Sequence, residues 1–388
     1  MRNKNIIVIS FTVAIMTFSV FSWLTILPIY IKELGATDIQ IGISYSIISV
    51  SFLLFQYPAG IFSDTFGRKN IIAYPTFFAA LFFGLSYIFH NWIMLVIAAS
   101  IQNIVSAIQI PAFIPLVAES VSSEKKGMAF SLLEFSAGGG IAIGQLAGGV
   151  LLKYLSVKDL ILFTSIIAVI CGILRAYFLQ ETHFYDNKNK GFNRIPLKTI
   201  LKNKNFKILL IGSTLFYALF SLTIYGPFIA IYSKEILNFD KTSVNILYGI
   251  GGIFAASVSF LGGYLISRYG DKKNLIGNTL LHGIFLLTWI AMSRSLFYIV
   301  PFILIFITSQ LGHISYNSYL TGVFPKNSRS QMIGLFASIS GIFSSLTPAI
   351  ASYFMVKFTY IFPFLLAFAI GTISAILFIK LKEEEINV

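Results

Sequence analysis

Gly60-Ile-Phe-Ser-Asp64-Thr-Phe-Gly67-Arg68-Lys69-Asn70 joins two long stretches, 39–63 and 70–118, that contain no Asp, Glu, Lys or Arg. A similar segment stands 203 residues further on: Gly263-Tyr-Leu-Ile-Ser267-Arg-Tyr-Gly270-Asp271-Lys272-Lys273-Asn274, read with one extra residue before Lys273. The same offset brings Lys126 onto Arg329 and Ser106 onto Ser309. It also lays Gly140-Ile-Ala-Ile-Gly144-Gln145-Leu-Ala-Gly148-Gly149 on Phe343-Ser-Ser-Leu-Thr347-Pro348-Ala-Ile-Ala351-Ser352. Several independent matches at one offset mark a duplicated unit, and short charged turns between uncharged runs mark loops between membrane helices.

Composition supports that reading. Of 388 residues 56% are hydrophobic and 11% charged, whereas soluble domains average about 25% charged. So few ionised groups cannot cover a soluble surface, which excludes a soluble enzyme, a disordered chain and, with Cys171 alone, a disulfide scaffold. A membrane helix needs roughly 20 apolar residues. Uncharged or nearly uncharged runs at 6–31, 39–63, 70–118 (two spans turning at His90-Asn91), 128–152, 160–179, 207–232, 243–266, 275–293, 296–322, 331–356 and 361–379 give twelve spans. The expected fold is all-α and integral to the membrane, in two pseudo-symmetric six-helix bundles: residues 1–180, a linker at 181–206, and 207–388.

An even span number puts both termini on one side. That side collects 20 of the 28 basic residues, so both termini are expected in the cytoplasm. The net charge of +13 is therefore topology, and nucleic acid is not an expected partner. Transporters built from two parallel repeats place their site between the halves near the midplane.

At these residues the chain resembles the major facilitator superfamily, in particular its drug or metabolite efflux branch. The loop Gly60-x3-Asp64-x2-Gly67-Arg68-Lys69 looks like that family's loop signature, and Gly140–Gly149 resembles the fifth-helix motif of its antiporters, with Gln145 at the usual proline. Span four departs: Ala99-Ser100-Ile101-Gln102-Asn103 lacks the arginine of drug/proton antiporters. The resemblance implies alternating access by a single chain, without cofactor or metal. It also implies a cytoplasmic latch in which Asp64 faces the start of a helix in the other half and Arg68 pairs with Glu119. The glycine ridge Gly140, Gly144, Gly148, with Gly149 beside it, would face span eight. A solvated turn and close packing within one half are the plainer alternatives.

Glu134 is the one carboxylate clearly inside a span, on the face of Gly138, Ile141 and Gln145, and is the first candidate for a proton carrier; His313 is the second. Arg175 is expected to snorkel at the inner end of span six. Polar stripes mark the expected cavity: Trp23 in span one, Gln102, Ser106 and Gln109 in span four, Tyr217 and Tyr225 in span seven, and Ser309, Gln310, Tyr316 and Asn317 with His313 in span ten. Helix-to-helix hydrogen bonding is their alternative role. An aromatic fraction of 16% suits an amphipathic or aromatic solute, while Trp23, Gln102, Gln109 and Asn317 would also suit a neutral sugar. A polytopic enzyme would need clustered acid–base or metal-binding groups, and the four histidines are scattered.

If the latch operates, Asp64→Asn shifts the balance between inward and outward accessibility, read by site-directed labelling, and alters transport rate. An unchanged balance and rate would remove Asp64 from the mechanism.

Overall fold

The structure, a computed structural model, describes residues 3–122, 125–182, 203–293, 295–324 and 329–381. Most of the expected linker (183–202), and the side chains of 56–66, Gly60 and Asp64 among them, lie outside the described residues. The helices are α1 (Asn3–Phe21), α2 (Leu27–Glu33), α3 (Asp38–Phe66), α4 (Arg68–Ile88), α5 (Trp92–Glu119), α6 (Lys126–Leu151) and α7 (Val157–Phe178). They continue as α8 (Lys204–Ser221), α9 (Phe228–Glu235), α10 (Lys241–Ser257), α11 (Ser259–Tyr269) and α12 (Asp271–Ala291). The last four are α13 (Ile299–Val323), α14 (Arg329–Ser345), α15 (Thr347–Lys357) and α16 (Phe362–Lys380). No strand occurs among the described residues.

Among the described residues ten spans are long and apolar enough to cross a membrane, with an eleventh if α10 and α11, bent by 52° at their junction, count as one. The seventh expected span is divided into α8 and α9 at 222–227, where Gly226 and Pro227 stop the helix. Span one is divided in the same way, α1 and α2 being separated by a short turn at Leu24–Ile26. Helix starts carry ordinary caps: Thr37 with Gln40, Ser156 with Asp159, and Asn91, whose Oδ1 accepts the Met94 amide at 2.8 Å.

Backbone geometry fixes the register of the repeat. Among the described residues, those with positive φ are Gly35, Gly67, Asn238 and Gly270, and they pair as 35/238 and 67/270 at an offset of 203. The caps pair as well. Thr37 accepts the Gln40 amide, and Asp240 accepts the Ser243 amide at 2.8 Å. The Ser243 hydroxyl and amide hold the Asp240 carboxyl below the usual carboxylate range. The helices α4 and α12 start and end 203 residues apart, so no extra residue precedes Lys273. Arg68 therefore falls on Asp271, and the apparent insertion came from matching Lys-Asn to Lys-Asn.

By contacts the chain falls into two units: Met1–Phe184 with Pro227–Ala256, and Tyr185–Gly226 with Ser257–Val388. The expected boundaries at 180 and 206 thus do not coincide with the contact grouping, because α9 and most of α10 pack with the first half.

In the first unit α6 lies along α1. An added Cβ at Gly140, Gly144 or Gly148 would overlap the backbone carbonyl of Ala14, Phe18 or Ser22 in turn. The ridge expected to face span eight instead seats on α1, where small residues let two backbones approach. Arg175 does not snorkel. It is 3% exposed, and its Nε donates to Thr12 Oγ1 (3.1 Å). Its Nη1 donates to Thr76 Oγ1 (2.9 Å) and Gln109 Oε1 (3.4 Å), so one side chain ties α7 to α1, α4 and α5.

Gly144→Ala is expected to lower the melting temperature of the detergent-solubilised protein, overpacking costing about 1–3 kcal/mol. Gly138→Ala, whose Cβ meets open space, should hold or raise it, since Ala is the better helix former. Equal melting temperatures for the two variants would show that the ridge is not tightly seated.

Candidate functional site

The second unit contains a cluster of rings. Phe216, Tyr217 and Phe220 come from α8, Tyr225 from the turn that ends it, and His313 and Tyr316 from α13. The His313 ring lies 4.5 Å from Phe220, 5.4 Å from Phe216 and 5.7 Å from Tyr225, centroid to centroid. Tyr316 stacks on Phe216 at 4.7 Å and meets Tyr217 edge-on at 5.4 Å. Tyr316 is wholly covered and backs the cluster, while Tyr225 is 63% exposed and forms its open side. His313 Nε2 is buried without a hydrogen-bond partner. That nitrogen is therefore an unpaired polar atom set among aromatic faces. His282 is the contrasting case. It is fully buried, with its ring nitrogens 3.1 Å from Thr223 Oγ1 and 3.2 Å from the Ile305 carbonyl, and serves packing.

Other expected cavity residues have different fates. Trp23 is completely buried, donates from Nε1 to Thr164 Oγ1 at 3.0 Å and packs on Phe83, so it belongs to the core of the first unit. Gln109 is consumed by the Arg175 knot, donating to the Ile72 carbonyl and Thr76 Oγ1 at 2.8 and 2.9 Å. Gln102 donates to Ser106 at 3.3 Å, and its Oε1 is buried without a partner. On α13, Ser309 is buried, Gln310 donates to Ser259 at 3.0 Å, and Asn317 is exposed.

Within the first unit α10 packs on one stripe of α6. An added Cβ at Gly149 would meet Ile246 and the Thr242 carbonyl. One at Gly249 would meet Leu146, and one at Gly252 would touch Ala142 and Gln145. Gln145 is buried and donates to Thr25 Oγ1 at 3.0 Å. Asn245, which sequence reasoning missed, donates from α10 to the Ser22 carbonyl at 2.6 Å. Followed down the helix, the stripe 149, 145, 142, 138 reaches Glu134, which is exposed beside open Gly138. Glu134 therefore lies on the face of α6 that meets the second half further up.

At the basic loop, Gly67 holds φ +82°, a backbone that favours glycine. Arg68 pairs with Glu119. Glu181, at the head of the linker, accepts the amides of Arg68 (3.1 Å) and Lys69 (3.0 Å). Its Oε2 lies 2.6 Å from where a Gly67 Cβ would stand, a second reason for glycine there. Among the described residues no cluster of three His, Cys, Asp or Glu suits a metal.

The chain is similar to known proteins. An MFS-type transporter of Methanocaldococcus jannaschii is 25% identical over 351 residues, covering 86% of this chain and 87% of that protein. The quinolone resistance protein NorA of Staphylococcus aureus is 20% identical over 292 residues, 75% of this chain and 74% of its own. The nucleoside transporter NupG has a similar structure, with a TM-score of 0.78 at 15% identity over 96% of this chain and 97% of its own. The sequence profile of the Major Facilitator Superfamily matches residues 9–318 and 214–387. With its helical repeat, its basic loop and that match across nearly its whole length, the chain belongs to the Major Facilitator Superfamily, whose members are transporters and not enzymes.

Proposed function

We propose that the protein exports a small amphipathic or aromatic organic solute across the cell membrane in exchange for protons. It would work by alternating access, as a monomer with both termini in the cytoplasm. The observation that carries this reading is the ring cluster around the unpartnered His313 Nε2. Aromatic faces bind planar apolar solutes by offset and edge contacts, and the imidazole fixes one polar group. The similarity to a quinolone resistance protein agrees with export of such a compound. Glu134 is the proposed proton carrier, since an acid on the inter-half face of α6 can load on one side and release on the other. His313 is the second candidate. Asp64, Arg68 and Glu119 are proposed as the cytoplasmic latch. A second reading, uptake of a neutral metabolite, rests on the unpaired Gln102 Oε1 and on the fold shared with a nucleoside transporter.

A thermal-shift screen of the purified protein against aromatic, sugar and nucleoside libraries identifies the solute class. For the best ligand, Tyr225→Ala is expected to weaken binding about 2- to 10-fold, the worth of one aromatic contact. Sugar or nucleoside hits insensitive to Tyr225→Ala would favour the second reading. In proteoliposomes, Glu134→Gln should abolish accumulation driven by a pH gradient and preserve equilibrative exchange. Accumulation at the wild-type rate would discard Glu134, and its loss in His313→Ala instead would move the proton site to α13.

A further inference from the structure

Charged side chains collect in the first unit at the end opposite the basic loops. Lys32 Nζ lies 2.8 Å from Asp38 Oδ1 and 3.1 Å from Glu235 Oε1, and Lys241 Nζ lies 2.8 Å from Glu33 Oε2. Two of these pairs join α2, from the first half of the sequence, to α9 and α10, from the second, while Lys32–Asp38 ties α2 to the start of α3. Both α2 and α9 are short segments beyond a break in their spans. Ile29 and Ile231, 3% and 2% exposed, line a small pocket between them together with Lys32 and Glu235.

The repeat gives the arrangement its meaning. At the offset of 203, Lys32 falls on Glu235 and Asp38 falls on Lys241, so the charge is inverted at both positions. A residue meets its own repeat equivalent only beside the axis that relates the repeats, and the Lys32–Glu235 pair is such a meeting. Unchanged copies would set like charges against each other there. Inversion turns that repulsion into attraction.

We propose that Lys32, Glu33, Asp38, Glu235 and Lys241 form an electrostatic clasp across the two sequence halves, which must open for solute to pass on the face opposite the basic loops. The clasp rests on the alternating-access reading above. Its side chains are 13–41% exposed. Water and salt therefore weaken each pair, which suits a closure that must release every cycle.

The test uses a single reporter thiol, Ile231→Cys in a Cys171→Ser chain, held in nanodiscs and treated with a water-soluble maleimide. Glu33→Lys or Lys241→Glu should each raise the labelling rate about 2- to 5-fold, the range expected from losing one partly exposed pair. The double variant Glu33→Lys/Lys241→Glu should return the rate to that of the reporter chain. Labelling of the unswapped reporter should rise with ionic strength. If charge changes and salt both leave the rate unchanged, or if the double variant labels as fast as the singles, the clasp is wrong. Labelling needs no solute, so a normal clasp response without transport would fault the transport reading alone. Normal transport with a charge-insensitive rate would fault the clasp alone.

Discussion

Hydrocarbon offers no partner to a backbone amide or carbonyl, so a helix crossing it must run unbroken or have every break covered by polar side chains. The two divided spans show the second solution. Where α1 ends, the Ser19 carbonyl accepts Thr164 Oγ1 at 2.9 Å, and the Ser22 carbonyl accepts Asn245 Nδ2 at 2.6 Å. Where α8 ends, Thr223 bonds back to the Leu219 carbonyl and lies 3.1 Å from His282. Each break is thus sealed by a polar residue of a neighbouring helix. Trp23, Thr164, Asn245 and His282 are accordingly spent on holding half-helices at fixed angles. Asn245 keeps its Oδ1 buried without a partner, while its Nδ2 is committed to the Ser22 carbonyl.

The two units share a register but not a chemistry. Arg175 maps at the offset of 203 onto Phe378, and Phe113 onto Tyr316. In the first unit the guanidinium lies 5.5 Å from the Phe113 ring and is hydrogen-bonded to three helices. In the second, Phe378 packs 6.5 Å from Tyr316 and 6.3 Å from Phe216. One bundle is knotted by directional polar bonds and the other by rings. That difference leaves the second unit with the apolar, aromatic surface from which the candidate solute site is built.

Hydropathy made the spans legible, because lipid imposes their length directly. The loop motif made the repeat legible, because a turn with positive φ constrains both the glycine and its neighbours. Partners were harder to read. The Gly140–Gly148 ridge announces a close approach but not to which helix, since α1 and α10 flank α6 on adjacent faces. Gln109 and Arg175 are polar near span interiors, and sequence cannot say that each is what satisfies the other. The stripe of α13 is legible only as a row of polar positions: Phe216 and Phe220, which lie against His313, carry no polar signal, and Gln310 is bonded to Ser259. Glu181 escaped notice since its partner amides carry no side-chain signature.

The inverted charges at Lys32/Glu235 and Asp38/Lys241 also bear on descent. A half that once assembled with an identical copy had to present the same residue from both sides of its symmetry axis. With lysine at position 32, such a homodimer would set ammonium against ammonium; with the glutamate of position 235 it would set carboxylate against carboxylate. Each half now complements the other and disfavours itself. Copying either half over its sister would restore a like-charge contact where Lys32 now meets Glu235.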